Sequence, residues 1–373
     1  MTVTFFSSIL NHHQLSFCEE MIKIPDVEFT FVQMIDLTEE RRAQGFRAYD
    51  MPYVVSAQKD PERAHRLCIE SDVVIAGVIR QDWANERVSQ GKLTFAYRER
   101  FLKNKRGIFS PAFWKNGYQN FYKFRDKELY FLCASAYTAK DTRIISPRPQ
   151  KKFKWGYFPM LNTYEDFDGV IAQKKPHTIL WVGRFLAWKH PESCITLARH
   201  LVDEGLDFSL SLIGLGEMEE ELKAMIAKYD LSDRVTLLGQ MSPEAVKQKM
   251  RESDVFLFTS DRGEGWGAVL NEAMSEGCAC IASKQAGSTN FLIRDGENGY
   301  AFDYNDMKLL LSRTKFLLTH PQEKQAMQKS ALQTIGGEWN AKEAANRLTE
   351  FCRCKLKDAQ PPQYANGPMS VCD

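Results

Sequence analysis

Between residues 178 and 282 short apolar runs and amphipathic stretches alternate without a break. The apolar runs 178–182, 208–213, 235–238, 255–258 and 278–282 have the length of strands. The stretches between them carry apolar residues at helical spacing, such as Cys194, Leu197, Ala198 and Leu201, then Met218, Leu222, Met225 and Tyr229. Pro191 and the pair Ser242-Pro243 open helices, and Gly205 and Gly277 end them. Strands that alternate with helices of this length predict a parallel sheet wound on both faces. Ligands of such sheets bind where loops leave the carboxyl ends of the strands, so the loops become the places to search.

One loop stands out. In DVFLFTSDRGEGWGAVLNEAMSEG (254–277) a buried strand gives way to a polar, glycine-rich loop at 259–267 and then to a helix over 268–276. Gly265 and Gly267 let the backbone approach a ligand, and Glu264 and Glu272 can each accept hydrogen bonds from a pair of hydroxyls. A helix start beside them offers N–H groups to an anion. After the first strand of the alternating region stand Gly183 and Arg184, with Lys189 five residues beyond Arg184. An arginine fork and a lysine point charge together neutralise a diphosphate. The pattern predicts a site for a phosphorylated, polyhydroxylated molecule.

The length of 373 residues accommodates two domains, and a net charge of +1 gives no global preference for nucleic acid. Nine scattered cysteines make no disulfide framework. Cys278/Cys280 and Cys352/Cys354 lack the partner histidines of a zinc site, so no metal is expected. MTVTFFSSIL has no basic leader region and no apolar run reaches the roughly 20 residues of a membrane span. A cytoplasmic location is the expectation.

The first 150 residues read as another α/β lobe, with apolar runs at 3–9, 29–34 and 73–78 and a helix at 15–22. Asn11, His12, His13 and Gln14 lie between the first strand and that helix, either as a loop at the sheet's carboxyl edge or as a helix start. The stretch 45–51 has no regular pattern. Residues 91–127 hold ten Lys or Arg against two acidic residues, a local net of +8, interleaved with ten aromatics. That mixture suits an anionic membrane surface, or else aromatics in a core beneath a solvated charged face; no nucleic-acid module accompanies it. Ser146-Pro147-Arg148-Pro149 opens a linker expected over 151–176, which includes Asp166 and Asp168. Beyond two turn signals at 295–299 the chain reads as helical to about 357, and 358–373 as a disordered tail.

From 178 to about 348 the chain resembles the retaining glycosyltransferases of family 4. The resemblance rests on Glu264-x7-Glu272, on Gly183-Arg184 with Lys189, and on the segments ILWVGR and LIGLGEMEEELK. It implies the GT-B arrangement, two Rossmann-like domains facing each other across a cleft: an acceptor-side domain at 1–150, a nucleotide-sugar domain at 177–336, and a helix at 337–357, led by Trp339 and Asn340, that crosses back to the first. By position, Arg184 and Lys189 would bind the donor pyrophosphate. Glu264, with Gly265, Trp266, Gly267 and Ala268, would hold the donor sugar, and Glu272 the ribose. Residues 238–241 would lie near the base. The implied reaction moves a hexose-type sugar from a UDP- or GDP-linked donor, without metal or cofactor, to a saccharide or lipid-linked acceptor. It belongs to bacterial surface polysaccharide assembly, at the inner face of the membrane. In the first lobe the family's glycine-rich loop is replaced by Ser7, Ser8, Asn11, His12 and His13, and its later histidine by Tyr97-Arg98-Glu99-Arg100. His13 and Arg98 are the candidate catalytic residues there.

Two other functions fit parts of the chain. A dinucleotide oxidoreductase could use Gly214-Leu215-Gly216, but Met218-Glu219-Glu220 occupies the place of the third glycine. A nucleotide-sugar or carbohydrate binding subunit without turnover would keep the same ligand groups.

Overall fold

A computed structural model describes residues 1–37, 49, 51–103 and 105–372; the side chains of 105 and 106, and most of the patternless stretch 45–51, lie outside that set. The chain divides into two units, one of residues 1–160 with 339–373 and one of residues 161–338. Each is built on a parallel sheet.

The first unit holds β1 (Thr2–Ser7), β2 (Glu28–Gln33), β3 (Val54–Ser56), β4 (Val73–Ala76), β5 (Thr94–Arg98), β6 (Leu129–Cys133) and β7 (Lys152–Lys154). Their order in the sheet is β3-β2-β1-β4-β5-β6-β7. Every pairing is parallel, so the runs are apolar on both faces: Phe6, Phe31, Val74, Phe95 and Leu132 are buried. The second unit holds β8 (Lys175–Val182), β9 (Ser209–Ile213), β10 (Val235–Leu237), β11 (Ser253–Phe258), β12 (Ala279–Ser283) and β13 (Tyr300–Phe302), in the order β10-β9-β8-β11-β12-β13. Leu212, Leu257 and Ile281 centre its core, covered by helices such as Glu192–Asp203 and Met307–Thr319. In both sheets the strand order reverses beside the first strand, between β1 and β4 and between β8 and β11.

Three sequence expectations change. The expected linker at 151–176 is ordered at both ends. β7 completes the first sheet, Asp166 caps the helix Phe167–Ile171 by accepting from Gly169 N at 2.9 Å, and β8 begins at Lys175. Asp168 pairs with Lys329 at 2.5 Å. The division between the units falls at residue 160. A strand, β13, interrupts the expected all-helical end. The tail does not read as structured from composition, yet Met369, Ser370 and Cys372 are buried: Met369 N donates to Lys154 O at 2.9 Å and Cys372 N to Lys152 O at 2.9 Å. These bonds satisfy the open edge of β7, which a polar, proline-rich composition cannot reveal. The helix Ala341–Leu356 belongs to the first unit, where it packs on His12–Lys23 and sets Phe351 against Phe95, Tyr130 and Phe153.

Candidate active site

The reversal between β8 and β11 sends two loops out side by side from the carboxyl edge of the second sheet. Trp181 and Leu257 are partners in the register, so residues 183–190 and 259–267 begin next to each other. That is where open α/β sheets bind ligands. Side-chain and main-chain bonds lace the loops together: Trp181 Nε1 donates to Thr259 Oγ1 at 2.9 Å, Thr259 Oγ1 donates to Lys189 O at 2.6 Å, and Asp261 N donates to Trp188 O at 2.8 Å.

Across this seam Lys189 Nζ meets Glu264 Oε2 at 2.7 Å, with side chains 13% and 12% exposed. Ser260 Oγ donates to the same carboxylate oxygen at 3.2 Å, and the ammonium lies 4.5 Å from the Trp188 ring centre. The two residues assigned to pyrophosphate and sugar are thus each other's partners. Arg184 is exposed on the same loop and is unpaired among the described residues. His190 follows Lys189 with φ of 51°. Its ring nitrogens face Glu192 at 2.8 Å and Asp261 at 3.5 Å, and the hydrogen bond to Glu192 raises its pKa.

Behind the basic loop stands the segment Gly214-Leu215-Gly216. Gly214 has φ of +146°, and a Cβ there would come within 1.8 Å of Gly183 O. Gly183 N donates to Ile213 O at 3.0 Å, Phe185 N to Leu215 O at 2.9 Å, and Gly214 N to Gly239 O at 2.9 Å. These glycines therefore serve close packing behind 183–185, and they also join the 238–241 segment to the site. Gly267 has φ of +89°, and a Cβ there would meet the Phe258 ring at 2.3 Å, so the turn into the helix Val269–Ser275 requires glycine. Trp266 is buried, its Nε1 donating to Asn271 Oδ1 at 2.9 Å, so its indole anchors the loop from below. Glu272 lies on that helix, where burial pushes its carboxyl up to about 7; Lys247 opposes the shift and Glu276 adds to it.

Two sequence candidates belong to the other unit. His12 and His13 form the first turn of the helix His12–Lys23, capped by Asn11, whose Oδ1 accepts from His13 N at 2.9 Å. Of the two placements open in the sequence, the helix start is the one observed. Arg98 turns its guanidinium back: Nη1 donates to Ala76 O at 2.6 Å, to Tyr97 O at 2.9 Å and to Gly77 O. It closes the end of β4 and its charge is spent on main-chain carbonyls. The residue next to it, Glu99, is instead paired with Lys103 at 3.2 Å. Sequence reading also missed Thr259, Ser260, Trp188 and His190, whose link to the site depends on two loops 70 residues apart becoming neighbours. Among the described residues no group of three or more His, Cys, Asp or Glu is arranged to hold a metal.

Residues 163–334 match the family model described as glycosyl transferases group 1. AmsK of Erwinia amylovora, an amylovoran biosynthesis glycosyltransferase, is 33% identical over 144 residues, 37% of this chain and 35% of AmsK. The chain thus matches little more than a third of the length of such curated relatives. Among solved structures, Anabaena HepE in complex with UDP superposes with a TM-score of 0.67 at 16% identity, covering 96% of this chain and 100% of HepE. The lipopolysaccharide outer core galactosyltransferase WaaB gives 0.61 at 18% identity, covering 90% and 94%. The unit that pairs Lys189 with Glu264 is the part that matches the group 1 glycosyl transferases, and the two parallel α/β units of the chain are those of the GT-B fold.

Proposed function

We propose that this protein is a metal-independent, retaining glycosyltransferase that moves a hexose-type sugar from a nucleoside diphosphate sugar to a saccharide or lipid-linked saccharide. The observation that carries the reading is the meeting of Lys189 and Glu264 at 2.7 Å on the reversal of a parallel sheet, with Arg184 on the same loop and Glu272 on the helix beyond. The cations would hold the pyrophosphate, Glu264 and the 265–268 backbone the sugar, and Glu272 the ribose. In the reaction the bond from the sugar's anomeric carbon to the β-phosphate breaks, and the acceptor oxygen bonds to that carbon on the same face. The acceptor proton passes to the departing phosphate, whose charge Arg184 and Lys189 stabilise. AmsK, named for amylovoran biosynthesis, supports a place in bacterial cell-surface polysaccharide assembly. HepE, solved with UDP, makes a UDP-linked donor the first to test.

The test is thermal stabilisation by UDP, GDP, dTDP, ADP and NAD in the presence of a chelator. A nucleoside diphosphate at about 100 times its dissociation constant adds about 2.7 kcal/mol, a shift of several degrees. We expect one of them to stabilise the wild type and to lose that effect in Arg184→Ala. Stabilisation by NAD alone would replace the reading with a dinucleotide enzyme. Donor binding with no hydrolysis or transfer would leave a binding subunit.

A membrane surface belongs to the same proposal, and the stretch 91–127 is unevenly exposed. Phe95, Phe121 and Phe124 are core, and Arg98 and Arg100 are withdrawn. Phe109, Trp114, Tyr118 and Tyr122 are 84%, 42%, 60% and 37% exposed; Trp114 and Tyr118 lie one turn apart on the helix Pro111–Asn120, and Tyr118 stacks on Tyr122 just beyond it, beside exposed Lys115 and Lys123. In vesicle sedimentation, binding to anionic phospholipid should exceed binding to zwitterionic lipid. The double variant Trp114→Ala/Tyr118→Ala should weaken it about tenfold. Equal recovery of variant and wild type would assign these rings to another role. Among the described residues no helix is long and apolar enough to cross a membrane.

A further inference from the structure

Lys189 and Glu264 each ride on a tight turn, and one side chain ties the two turns together. The short helical turn Ala187–Lys189 ends at His190, whose φ of 51° lies in the left-handed region that favours glycine. On the other loop Asp261 organises the turn that carries Glu264. Its Oδ1 accepts from Gly263 N at 2.6 Å and its main-chain oxygen accepts from Glu264 N at 3.1 Å. Its other carboxylate oxygen, Oδ2, lies 3.5 Å from His190 Nε2, while Nδ1 of the same ring meets Glu192 Oε1 at 2.8 Å. The Tyr304 ring stacks on the imidazole at 4.8 Å with an interplanar angle of 28°.

We propose that His190, as an imidazolium shared between Glu192 and Asp261, is a positioning residue of the donor site: it holds the Glu264 turn against the Lys189 turn, so that the grip on the donor's sugar loosens as the pH rises. The inference rests on the donor-site reading of these loops and adds to it a residue that acts through its neighbours.

Both ring nitrogens face a carboxylate oxygen. A neutral imidazole has one N–H and one lone pair, so it satisfies one carboxylate and turns a lone pair toward the other. The imidazolium donates at both nitrogens and satisfies both. Nε2 is buried and makes no closer hydrogen bond, so the Asp261 contact is the one its proton can serve. The titratable groups around the ring are Glu192, Asp261, Tyr304, which offers a ring face, and Lys189, whose ammonium goes to Glu264. The hydrogen bond to Glu192 outweighs burial, and the charges of Glu192 and Asp261 add to it, so the His190 pKa is raised from the ordinary 6.5. The bridge is therefore complete below 6.5 and is lost as the pH rises through the higher folded-state value. A plain turn would need neither the two carboxylates nor a side chain at a backbone position that favours glycine.

The test is calorimetric titration of the full chain at about pH 6 and about pH 9, on either side of the histidine range. The ligands are UDP, GDP, UDP-glucose, UDP-galactose, UDP-N-acetylglucosamine and GDP-mannose, and the readout is how much tighter a sugar nucleotide binds than its parent diphosphate. That ratio cancels the ribose contact assigned to Glu272, which is common to both ligands. We expect at least one sugar nucleotide to bind about tenfold tighter than its parent at the lower pH, and the ratio to fall about fivefold at the higher. His190→Asn, which tolerates the left-handed backbone, and His190→Gly, which prefers it, should show the low ratio at both pH values. Asp261→Asn, which leaves the histidine in place, should do the same. A wild-type ratio indifferent to pH, a pH dependence that survives in the His190 variants, or no gain from any sugar overturns the assignment while leaving the diphosphate site standing. Failure of both diphosphates to bind the wild type would instead defeat the donor reading itself.

Discussion

Lys189→Ala should cost the protein both its nucleoside diphosphate and part of its stability. A charge-assisted contact to phosphate is worth about 1.5–3 kcal/mol, so the affinity should fall about ten- to hundredfold. The stability effect comes from Glu264, which loses a partner 2.7 Å away while only 12% of its side chain is exposed. Breaking a fully buried pair costs about 3–5 kcal/mol and an exposed one about 0–1, so a loss of about 2 kcal/mol is expected here. Adding Glu264→Ala should restore most of that stability and none of the binding. Glu264→Gln should act the opposite way on the diphosphate: the competing carboxylate is gone, Lys189 is free, and UDP should bind several-fold more tightly even as sugar transfer collapses. Calorimetric titration with UDP and thermal melts of the four proteins check all of this together. Unchanged UDP affinity in Lys189→Ala would make the pair a structural bond between two loops.

The second large effect is a pH-dependent reversal at Glu272. Its carboxyl is pushed up from the ordinary glutamate value of 4.5 to about 7 by burial in the folded protein. The fold therefore favours the protonated form. Its stabilising contribution is complete below about 4.5 and is lost as the pH rises through about 7. Above that, the folded protein carries a desolvated carboxylate at a cost of at most about 3 kcal/mol. Glu272→Gln should accordingly melt several degrees higher than the wild type at pH 8 and level with it near pH 4.5. At the same time it should bind the nucleoside diphosphate poorly, because in the proposed donor site the ionised carboxylate would accept the ribose hydroxyls. For the wild type, donor affinity should rise as the pH passes through about 7. Equal melting shifts at both pH values would mean that Glu272 keeps its ordinary acidity.

Strain between folding and binding at Glu272, and between Lys189 and Glu264, has a common physical source. Both sites hold ionisable side chains away from water, where a carboxyl group is either kept protonated or paired with a cation. Local sequence rules see such groups as surface charges on a loop or a helix face. Only their surroundings raise one pKa or pair the other two.

Much of the molecule is legible without coordinates. The alternation of β-length apolar runs with helical spacing requires a parallel sheet, because each apolar run must be covered on both faces and each crossover must be helical. The glycines at 265 and 267, the helix starts at Pro191 and Ser242, and the order Gly183-Arg184…Lys189…Glu264…Glu272 mark one candidate ligand edge before any fold is drawn. Short strands are harder to read: β3 and β13 have three residues each, too few for periodicity to separate them from loop. The basic, aromatic stretch 91–127 reads as one patch, but the fold sends Phe95 and Phe121 into the core and leaves Trp114 and Tyr118 outside.

Local chemistry thus specifies the sheets, their turns and the residue types at the binding edge, since those depend on neighbours one to four positions away. Pairing depends on distant segments meeting. That Lys189 lies against Glu264, that Arg98 is absorbed by main-chain carbonyls while Tyr157 donates to Glu99, and that residues 369–372 close the edge of β7 follow from strand order and register, which no local pattern encodes.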